Sequence, residues 1–174
     1  MKRILMIGTG GTIASEMGGD GLTPELSTEQ LLSFVPSVGK ECHVDCVQLY
    51  SLDSTSIEPK HWVGVAKTIQ EKYDDYDGFV ISHGTDTMAY TASAVTFMLP
   101  GIDLPVVFTG SQLPLADVLS DGPDNLRTAF AMAASGHAGV FLAFDRKVML
   151  GCRAVKVRAS GFSAFESVNA RYAA

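Results

Sequence analysis

The stretch GFVISHGTDTMAYTASAVTFML, residues 78–99, contains the pattern that decides the fold of this chain. Its opening residues are mostly apolar, which indicates a short buried strand. From Met88 onward, apolar side chains recur at helical spacing as far as Leu99, and Pro100 and Gly101 then end the pattern. The stretch therefore predicts a strand that leads through a polar loop into a helix.

The same alternation of strand and helix extends along the whole sequence. The predicted strands are Lys2–Gly8, His43–Leu52, Gly78–Ser82, Leu104–Thr109 and Gly139–Phe144, and the predicted helices begin near Ser27, Glu58, Met88 and Asp121. Strands separated by helices need crossover connections, which favour a largely parallel sheet with helices on both faces. We therefore predict an α/β fold: a three-layer αβα domain with a flavodoxin- or Rossmann-like sheet. A C-terminal hairpin is predicted around Gly151, in KVMLGCRAVKVRAS.

Length and composition bound the class of protein. A chain of 174 residues is long enough for one domain with a substantial core, so residues 1–174 are expected to form a single domain. With 47% hydrophobic and 18% charged residues, the composition is that of an ordinary folded protein. The net charge of −6 and the pI near 5.1 offer no basic surface for phosphate groups. Nucleic acid is therefore not an expected partner.

The sequence carries no signal for a membrane. The apolar run in MKRILMIGTGG is too short for a secretory signal, and no other run approaches the roughly 18 residues of a membrane span. We therefore expect a cytoplasmic protein. Cys42, Cys46 and Cys152 fit that location as reduced, buried thiols, and their spacing matches no zinc motif. Neither a metal nor a cofactor is predicted.

Polar segments follow the predicted strands, at the edge of the sheet where ligands bind in α/β folds. These segments are GTGGTIAS at 8–15, LDSTS at 52–56, SHGTDT at 82–87 and TGSQLPL at 109–115. They share hydroxyl groups, glycines and single carboxylates. Glycines allow backbone conformations closed to other residues and leave N–H groups uncovered. The sequence therefore predicts a ligand site built from hydroxyl groups and exposed amides.

Several of these residues also have a purely structural interpretation. Thr12 either lies at the open edge as a functional hydroxyl or bonds its own backbone in a turn. Thr85 and Asp86 either belong to the site or cap the following helix. The glycine run is also compatible with a nucleotide-binding loop, but Ile13 occupies the place of the third glycine and no Walker-type lysine follows.

His83 and Lys156 are open to two interpretations as well. His83 ends a buried strand beside Ser82, and neighbouring strand residues point to opposite faces, which favours a structural histidine over a catalytic one. Lys156 lies among apolar residues in AVKV. It is either a strand lysine that extends to solvent or a lysine whose amine loses its charge more readily than in water.

The combination of motifs resembles the L-asparaginase family of bacterial and archaeal amidohydrolases, in its cytoplasmic type I form. The resemblance rests on TGGTIAS at 9–15, HGTDT at 83–87, TGSQLPL, DGPDNLRTAF at 121–130 and AVKVRASGFSAFESVNA at 154–170. It covers nearly the whole chain, with both threonine motifs in the order typical of the family. It implies hydrolysis of L-asparagine to L-aspartate and ammonia by a threonine nucleophile.

The resemblance also implies roles for individual residues. The first-motif threonine, the nucleophile of the family, falls on Thr12, and the second-motif pair falls on Thr85 and Asp86. The family lysine that joins this pair falls on Lys156, so that the three groups form a polar relay. The substrate-binding residues that the resemblance implies are Ser54, Asp53, Gly11, Gly84 and Ser111.

Two departures from the family pattern affect what we expect. Many members have a tyrosine in a G-Y-x-P context where this chain has Leu22, although the glycine-rich segment from Glu16 to Pro24 still resembles a lid. Members also continue past SVNA into a smaller C-terminal domain, and their active site lies between subunits. The resemblance therefore implies an N-terminal catalytic domain without its C-terminal partner, weakly active when isolated, and a homo-oligomer for the full-length protein.

Other functions remain compatible with these residues. One is the glutamine-deamidating subunit of a tRNA-dependent amidotransferase, which carries the same domain. Another is a ligand-binding module that keeps the pocket with little catalysis, and a third is a nucleotide-binding α/β domain. Preference for asparagine over glutamine depends on one methylene group and hence on the shape of the pocket.

Overall fold

The computed structural model describes residues 1–18, 21–24 and 26–174 of the chain, with side chains described outside residues 16–25. Its strands are β1 (Lys2–Gly10), β2 (Ser15–Gly18), β3 (Gly21–Pro24), β4 (Cys42–Leu52), β5 (Gly78–Ser82), β6 (Pro105–Thr109), β7 (Gly139–Phe144), β8 (Lys147–Leu150), β9 (Ala154–Lys156) and β10 (Phe165–Ser167). Its helices are α1 (Thr28–Ser33), α2 (Val38–Glu41), α3 (Pro59–Glu71), α4 (Met88–Met98) and α5 (Gly122–Ala134).

Six strands form the main sheet, in the order β4-β1-β5-β6-β7-β8. Neighbouring strands are parallel except for β7 and β8, which are antiparallel. Strands β5 and β6 are buried along their whole length, which agrees with their almost continuously apolar sequences, because helices cover both faces of a parallel sheet. The predicted, largely parallel sheet is confirmed.

Alternate residues of the central strands pack against different layers of helices. Leu5 and Ile7 of β1 face the core beneath α3 and α4, whereas Ile4 and Met6 face the core beneath α1, α2 and α5. This division follows from the strand geometry, since successive side chains point to opposite faces. The sheet thus lies between two helical layers, as the αβα prediction requires.

The start of α1 shows how the sequence determines a helix boundary. The Ser27 hydroxyl accepts a hydrogen bond from the Gln30 amide at 3.3 Å, and Gln30 Oε1 accepts one from the Ser27 amide at 2.7 Å. This reciprocal pair is a capping box, and it satisfies two amides that the first helical turn leaves without partners. The short helix α2, which follows Pro36, was not predicted.

The predicted hairpin around Gly151 is wrong. Strand β8 turns back on β7 through Asp145 and Arg146, which have φ angles of 52° and 58°, and β9 pairs instead with β10. The Gly151 amide donates to the Val140 carbonyl oxygen at 2.8 Å, which keeps this residue beside β7. The C-terminal hairpin therefore exists, but it is formed by β9 and β10.

The segment between the first motif and α1 contains the antiparallel pair β2 and β3. The predicted lid, from Glu16 to Pro24, falls here. Its side chains, including that of Leu22, lie outside the described residues, so the lid and the missing phenol stay predictions. Within the described ranges, no helix combines the length and the apolar character that crossing a membrane requires.

Candidate active site

The loops after β1, β4 and β5 touch one another at the carboxyl edge of the sheet. A Cβ atom placed on Gly11 would lie 2.3 Å from the Gly84 amide nitrogen, and one placed on Gly84 would lie 2.6 Å from the Ser54 Cβ atom. Side chains larger than hydrogen would separate these loops. The two glycines therefore allow Thr12, Ser54 and Thr85 to lie at one place.

The second threonine motif contacts Lys156, which β9 brings to the same edge. Lys156 Nζ donates to Thr85 Oγ1 at 2.8 Å and to Asp86 Oδ1 at 2.7 Å. The lysine side chain is only 14% exposed, whereas that of Asp86 is 61% exposed. The pair thus has a buried cationic end, next to a buried hydroxyl, and a carboxylate that solvent or a ligand can reach. Lys156 does not extend freely into solvent.

The helix-capping interpretation of Thr85 and Asp86 is not supported by the geometry. The residue at the N-cap position of α4 is Thr87, and its side chain makes no capping hydrogen bond within the part of the chain that the structure describes. Thr87 Oγ1 instead donates to the Ser54 carbonyl oxygen at 2.7 Å. The side chains of Thr85 and Asp86 are therefore directed to Lys156, and Thr87 holds the loop of Ser54 against the start of α4.

Thr12 begins a short 3₁₀ turn, Thr12–Ala14, directly after Gly11. Its side chain is half-buried, and its hydroxyl group has no hydrogen-bond partner among the described residues. The side chain that bonds the turn is Ser15, whose hydroxyl donates to the Gly11 carbonyl oxygen at 3.0 Å. Thr12 is therefore presented at the open edge. Ile13 is fully buried in the core, so the place of a third nucleotide-loop glycine is filled by a packed side chain.

Ser54 and Asp53 follow β4, but they differ in what their side chains can do. Ser54 is buried against Gly84. Asp53 Oδ1 accepts hydrogen bonds from the Thr55 hydroxyl at 2.6 Å and from the Thr55 amide at 2.8 Å. These two bonds, the hydroxyl bond first, lower the pKa of Asp53. Asp53 therefore carries an ionised carboxylate with one oxygen already engaged.

In the segment after β6, TGSQLPL at 109–115, the residue whose side chain contacts the other site residues is not the predicted Ser111. Ser111 is fully buried, and its hydroxyl group donates to the Leu113 carbonyl oxygen. The neighbouring Gln112 was not predicted, yet its side-chain oxygen accepts a hydrogen bond from Thr85 Oγ1 at 3.1 Å. The only sequence signal for Gln112 is its place at the end of a strand that borders the site.

His83 is fully buried, which agrees with the structural interpretation that the sequence favours, although its Nε2 atom has no hydrogen-bond partner among the described residues. Its Nδ1 atom lies 2.8 Å from the Gly84 carbonyl oxygen, which can only accept, so Nδ1 carries the proton. Burial lowers the pKa of His83 to about 4, partly opposed by this hydrogen bond, and the ring is neutral at pH 7. The Gly84 carbonyl and the Thr85 N–H belong to the same peptide unit, in which the two groups point in opposite directions. Since the carbonyl points toward His83, the Thr85 N–H points away from it.

Among the residues that the structure describes, no three His, Cys, Asp or Glu side chains form a group that could hold a metal ion. The three cysteines are not joined to one another. Burial raises the pKa of the Cys46 thiol to about 11, so this thiol is protonated at pH 7. The described side chains at the carboxyl edge of the sheet offer hydroxyl, amine and carboxylate groups, as Thr12, Thr85, Lys156 and Asp86 show.

The fold and the site together define a class: an α/β domain with a threonine-centred polar site at the carboxyl edge of its parallel sheet. This site combines Thr12 and Thr85, which follow different strands, with Lys156 from β9. The chain belongs to the asparaginase family, because the family model described as "Asparaginase, N-terminal" matches residues 3–174.

Comparison with individual proteins agrees with the family. The chain is 44% identical to an L-asparaginase of Thermococcus kodakarensis over 169 residues, which is 96% of this chain and 51% of that protein. It is 42% identical to L-asparaginase 1 of Escherichia coli K12, covering 97% of this chain and 51% of the relative. A solved structure of the thermostable L-asparaginase from T. kodakarensis superposes with a TM-score of 0.90, covering 98% of this chain and 52% of that one.

A more distant relative has a different name. The chain is 37% identical to a glutamyl-tRNA(Gln) amidotransferase subunit of Saccharolobus islandicus, over 97% of this chain and 40% of that protein. The chain thus spans about half the length of the L-asparaginases that it matches, and less of the amidotransferase protein. The resemblance inferred from the sequence motifs is confirmed at the level of the family.

Proposed function

We propose that this chain is the catalytic N-terminal domain of an L-asparaginase, which hydrolyses L-asparagine to L-aspartate and ammonia. The observation that carries the proposal is the placement of Lys156 Nζ within 2.8 Å of Thr85 Oγ1 and 2.7 Å of Asp86 Oδ1. The Thr12 hydroxyl is presented at the same edge, without a partner among the described residues. The names of the relatives support the same activity.

The proposed reaction begins with the Thr12 hydroxyl oxygen, which attacks the side-chain amide carbon of the substrate. A hydroxyl is a weak nucleophile at its own pKa, so its proton needs an acceptor. We assign that part to Thr85, which takes the Thr12 proton while passing its own proton to the amine of Lys156, a transfer that requires this amine to be unprotonated at that step. The carbon–nitrogen bond then breaks, and the nitrogen leaves as ammonia after taking up a proton. Water hydrolyses the resulting ester, which releases aspartate and restores Thr12.

We assign the oxyanion of the intermediate to backbone amides of the two motif loops. The Gly11 amide donates to the Leu52 carbonyl oxygen at 3.0 Å, so Gly11 contributes space and backbone shape instead of a donor. The amides of Thr12 and Thr85 have no acceptor among the described residues, and that of Thr85 points away from His83. Amides fixed in this way stabilise developing negative charge without having to reorganise.

The α-ammonium and α-carboxylate groups of the substrate need separate partners. We assign the ammonium group to Asp86, because its carboxylate is well exposed and uses only Oδ1 for Lys156. The second carboxylate, Asp53, lies beside Ser54 and has one oxygen engaged by Thr55, so we place these two residues at the α-carbon end. Gly84 and Ser111 take part through backbone and packing, because the Ser111 hydroxyl is engaged by Leu113.

We also propose that the full-length protein acts on a small-molecule substrate, forms a homo-oligomer and is located in the cytoplasm.

A second candidate function is glutamine deamidation in a tRNA-dependent amidotransferase, which the 37% identity to an amidotransferase protein favours. A ligand-binding module with little catalysis is the third.

Ammonia release from L-asparagine and from L-glutamine tests these functions. We expect release from asparagine that is lost in Thr12→Ala and kept in Thr128→Ala. The Thr128 hydroxyl donates to the Asp124 carbonyl oxygen of its own helix at 2.8 Å. Release from glutamine alone would favour the amidotransferase. Aspartate binding by calorimetry without ammonia from either amide would favour the binding module.

A further inference from the structure

Strand β4 contains a bulge just before the residues that we place at the α-carbon end of the substrate. The parallel pairing of β1 with β4 is regular as far as Gly8, which lies opposite Gln48. Two residues further along β1, Gly10 lies opposite Leu52, where regular pairing would put Tyr50. Strand β4 therefore has two more residues than β1 between these two pairs.

The bulge determines how far the loop after β4 extends beyond the end of β1. Each residue of a strand advances the chain by about 3.3 Å, so regular pairing would place Asp53 and Ser54 about 7 Å further out. In the structure, the Leu52 carbonyl oxygen instead accepts the Gly11 amide at 3.0 Å, and Ser54 packs on Gly84. The bulge therefore brings Asp53 and Ser54 level with the first threonine motif, as bulges beside active sites often re-aim side chains.

Gln48 lies at the start of the bulge, and its side-chain amide bonds to the bulge and to α1. Its Nε2 atom donates to the Tyr50 carbonyl oxygen at 2.5 Å and to the Ser51 hydroxyl oxygen at 3.3 Å. Its Oε1 atom accepts hydrogen bonds from the Thr28 amide at 3.1 Å and from the Thr28 hydroxyl at 2.6 Å. A carbonyl oxygen only accepts and a backbone N–H only donates, so these partners determine which end of the amide is nitrogen.

These four hydrogen bonds give the bulge a fixed path. Residues in a bulge lose the regular partners of the strand ladder, so their backbone groups need other partners. The Gln48 amide supplies a donor to the Tyr50 carbonyl oxygen, two residues before Leu52. Thr28, at the other end of the amide, is fully buried in the first turn of α1. Gln48 therefore ties the bulge to a buried point of the fold.

We propose that Gln48 is a positioning residue for substrate binding, an inference that rests on the proposed function. By holding the bulge of β4, Gln48 places Asp53 and Ser54 where they meet the α-carbon end of the substrate. Gln48 acts through the backbone of β4 and takes no part in the proton transfer at the two threonines. Its loss therefore weakens the binding of substrate and leaves the chemical step nearly unchanged.

The test uses Gln48→Met, which keeps the length of an exposed side chain and removes both polar ends. We expect KM for asparagine to rise about fivefold with kcat changed less than about twofold, because a contact at the α-carbon end acts equally on the ground state and the transition state. By calorimetry, the Kd of L-aspartate should also rise about fivefold. The Gly11 amide should exchange with solvent about fivefold faster, because its acceptor, the Leu52 carbonyl, is held less firmly.

Two further variants separate the contacts. Thr28→Val removes the hydroxyl bond to α1 and keeps both bonds from Gln48 to the bulge, so KM and the exchange of the Gly11 amide should stay within about twofold of the unmodified protein. A rise in KM as large as that of Gln48→Met would assign the effect to the anchoring of α1 and overturn the proposal. Gln70→Met makes the same substitution at an exposed position of α3 and should change none of these quantities.

Unchanged KM in Gln48→Met, or unchanged exchange of the Gly11 amide, overturns this inference alone and leaves the proposed function intact. If the unmodified protein releases no ammonia from asparagine or glutamine, the proposed function fails, and the calorimetry with L-aspartate decides the inference by itself. An unchanged Kd in Gln48→Met then overturns it. An unmodified protein that neither releases ammonia nor binds aspartate overturns both proposals.

Discussion

A Cβ atom on Gly11 would lie 2.3 Å from the amide nitrogen of Gly84, so the loops after β1 and β5 pack backbone against backbone. Gly11 also has a φ angle of 84°, in the region that residues with a side chain rarely adopt. Position 11 therefore requires glycine for two independent reasons: the close contact with Gly84 and the positive φ angle. The contact explains how Thr12 and Thr85, which are far apart in the sequence, come to lie at one end of the sheet.

We expect Gly11→Ala to lower the free energy of unfolding by at least about 2 kcal/mol, because the strained angle alone costs about 1–3 kcal/mol. Turnover should be lost in the same variant, since the two threonine loops must move apart. Urea denaturation measures the first effect. Gly39→Ala in α2 is the control: a Cβ there meets nothing within 4 Å, so stability should be unchanged or slightly higher. Equal stability of Gly11→Ala and the unmodified protein would contradict the contact.

Thr85→Val should lower turnover by about 10²-fold or more, because it removes the hydroxyl that joins Lys156 to the site at nearly constant volume. It also leaves the partly buried Gln112 oxygen without its donor, which should cost about 1–3 kcal/mol of unfolding free energy. Thr85→Ser should keep most of the turnover. Steady-state kinetics and urea denaturation measure both effects.

The control for that substitution is Thr91→Val in α4. The Thr91 hydroxyl is buried and has no hydrogen-bond partner among the described residues. Removing it should leave turnover unchanged and stability unchanged or higher, because no hydrogen bond to a described residue is lost. Similar losses in Thr91→Val and Thr85→Val would show that valine in this region is harmful for reasons unrelated to the relay.

The sequence was sufficient to predict the parts of the fold that depend on local patterns. Residues 78–99 combine a buried strand with a helical stripe, and the structure has β5 and α4 within that stretch. Ser27 and Gln30 have the spacing of a capping box and form one. Such features follow from neighbours within one turn, so no knowledge of the tertiary structure is needed.

The features that the sequence did not predict depend on contacts between residues far apart in the chain. The turn at Asp145 and Arg146 has two left-handed residues but no glycine, so it lacked the usual hairpin signal, and Gly151 attracted the prediction instead. Gln112 follows a strand, but no local pattern distinguishes it from its neighbours, because its contacts are with Thr85 and with a loop that comes after β9. The triad of Thr85, Asp86 and Lys156 was accessible only because its motifs resemble those of a known family.

His83 should make stability depend on pH. Its pKa in the folded protein is about 4, against an ordinary value of 6.5, so the unfolded chain takes up the proton first as pH falls. The stability that the neutral, buried ring contributes is fully present above pH 6.5 and is lost between 6.5 and about 4, by about 3 kcal/mol in total. Urea denaturation across that range measures the loss.

The matching variant is His83→Asn, whose side-chain nitrogen can still donate to the Gly84 carbonyl oxygen but does not titrate. The stability difference between the unmodified protein and His83→Asn should shrink as pH falls from 6.5 to 4. His137→Asn, at an exposed position, should leave the pH dependence as it is. A difference that stays constant over this range would mean that His83 is protonated equally well in the folded and unfolded states.

Lys156→Met should separate catalysis from stability. Because Asp86 is 61% exposed, the ion pair is largely open to solvent at its acidic end, and its loss should cost no more than about 1 kcal/mol of unfolding free energy. Turnover should fall by about 10²-fold or more, since Thr85 loses the amine that completes the proposed relay. Lys60→Met is the matched control, because Lys60 forms a 2.6 Å pair with Glu58 on the surface, away from the site, and turnover should not change. Turnover of Lys156→Met within about tenfold of the unmodified protein would contradict the relay, because loss of a proton-transfer group should have a larger effect. Lys156 would then be a structural residue that holds β9 against α4.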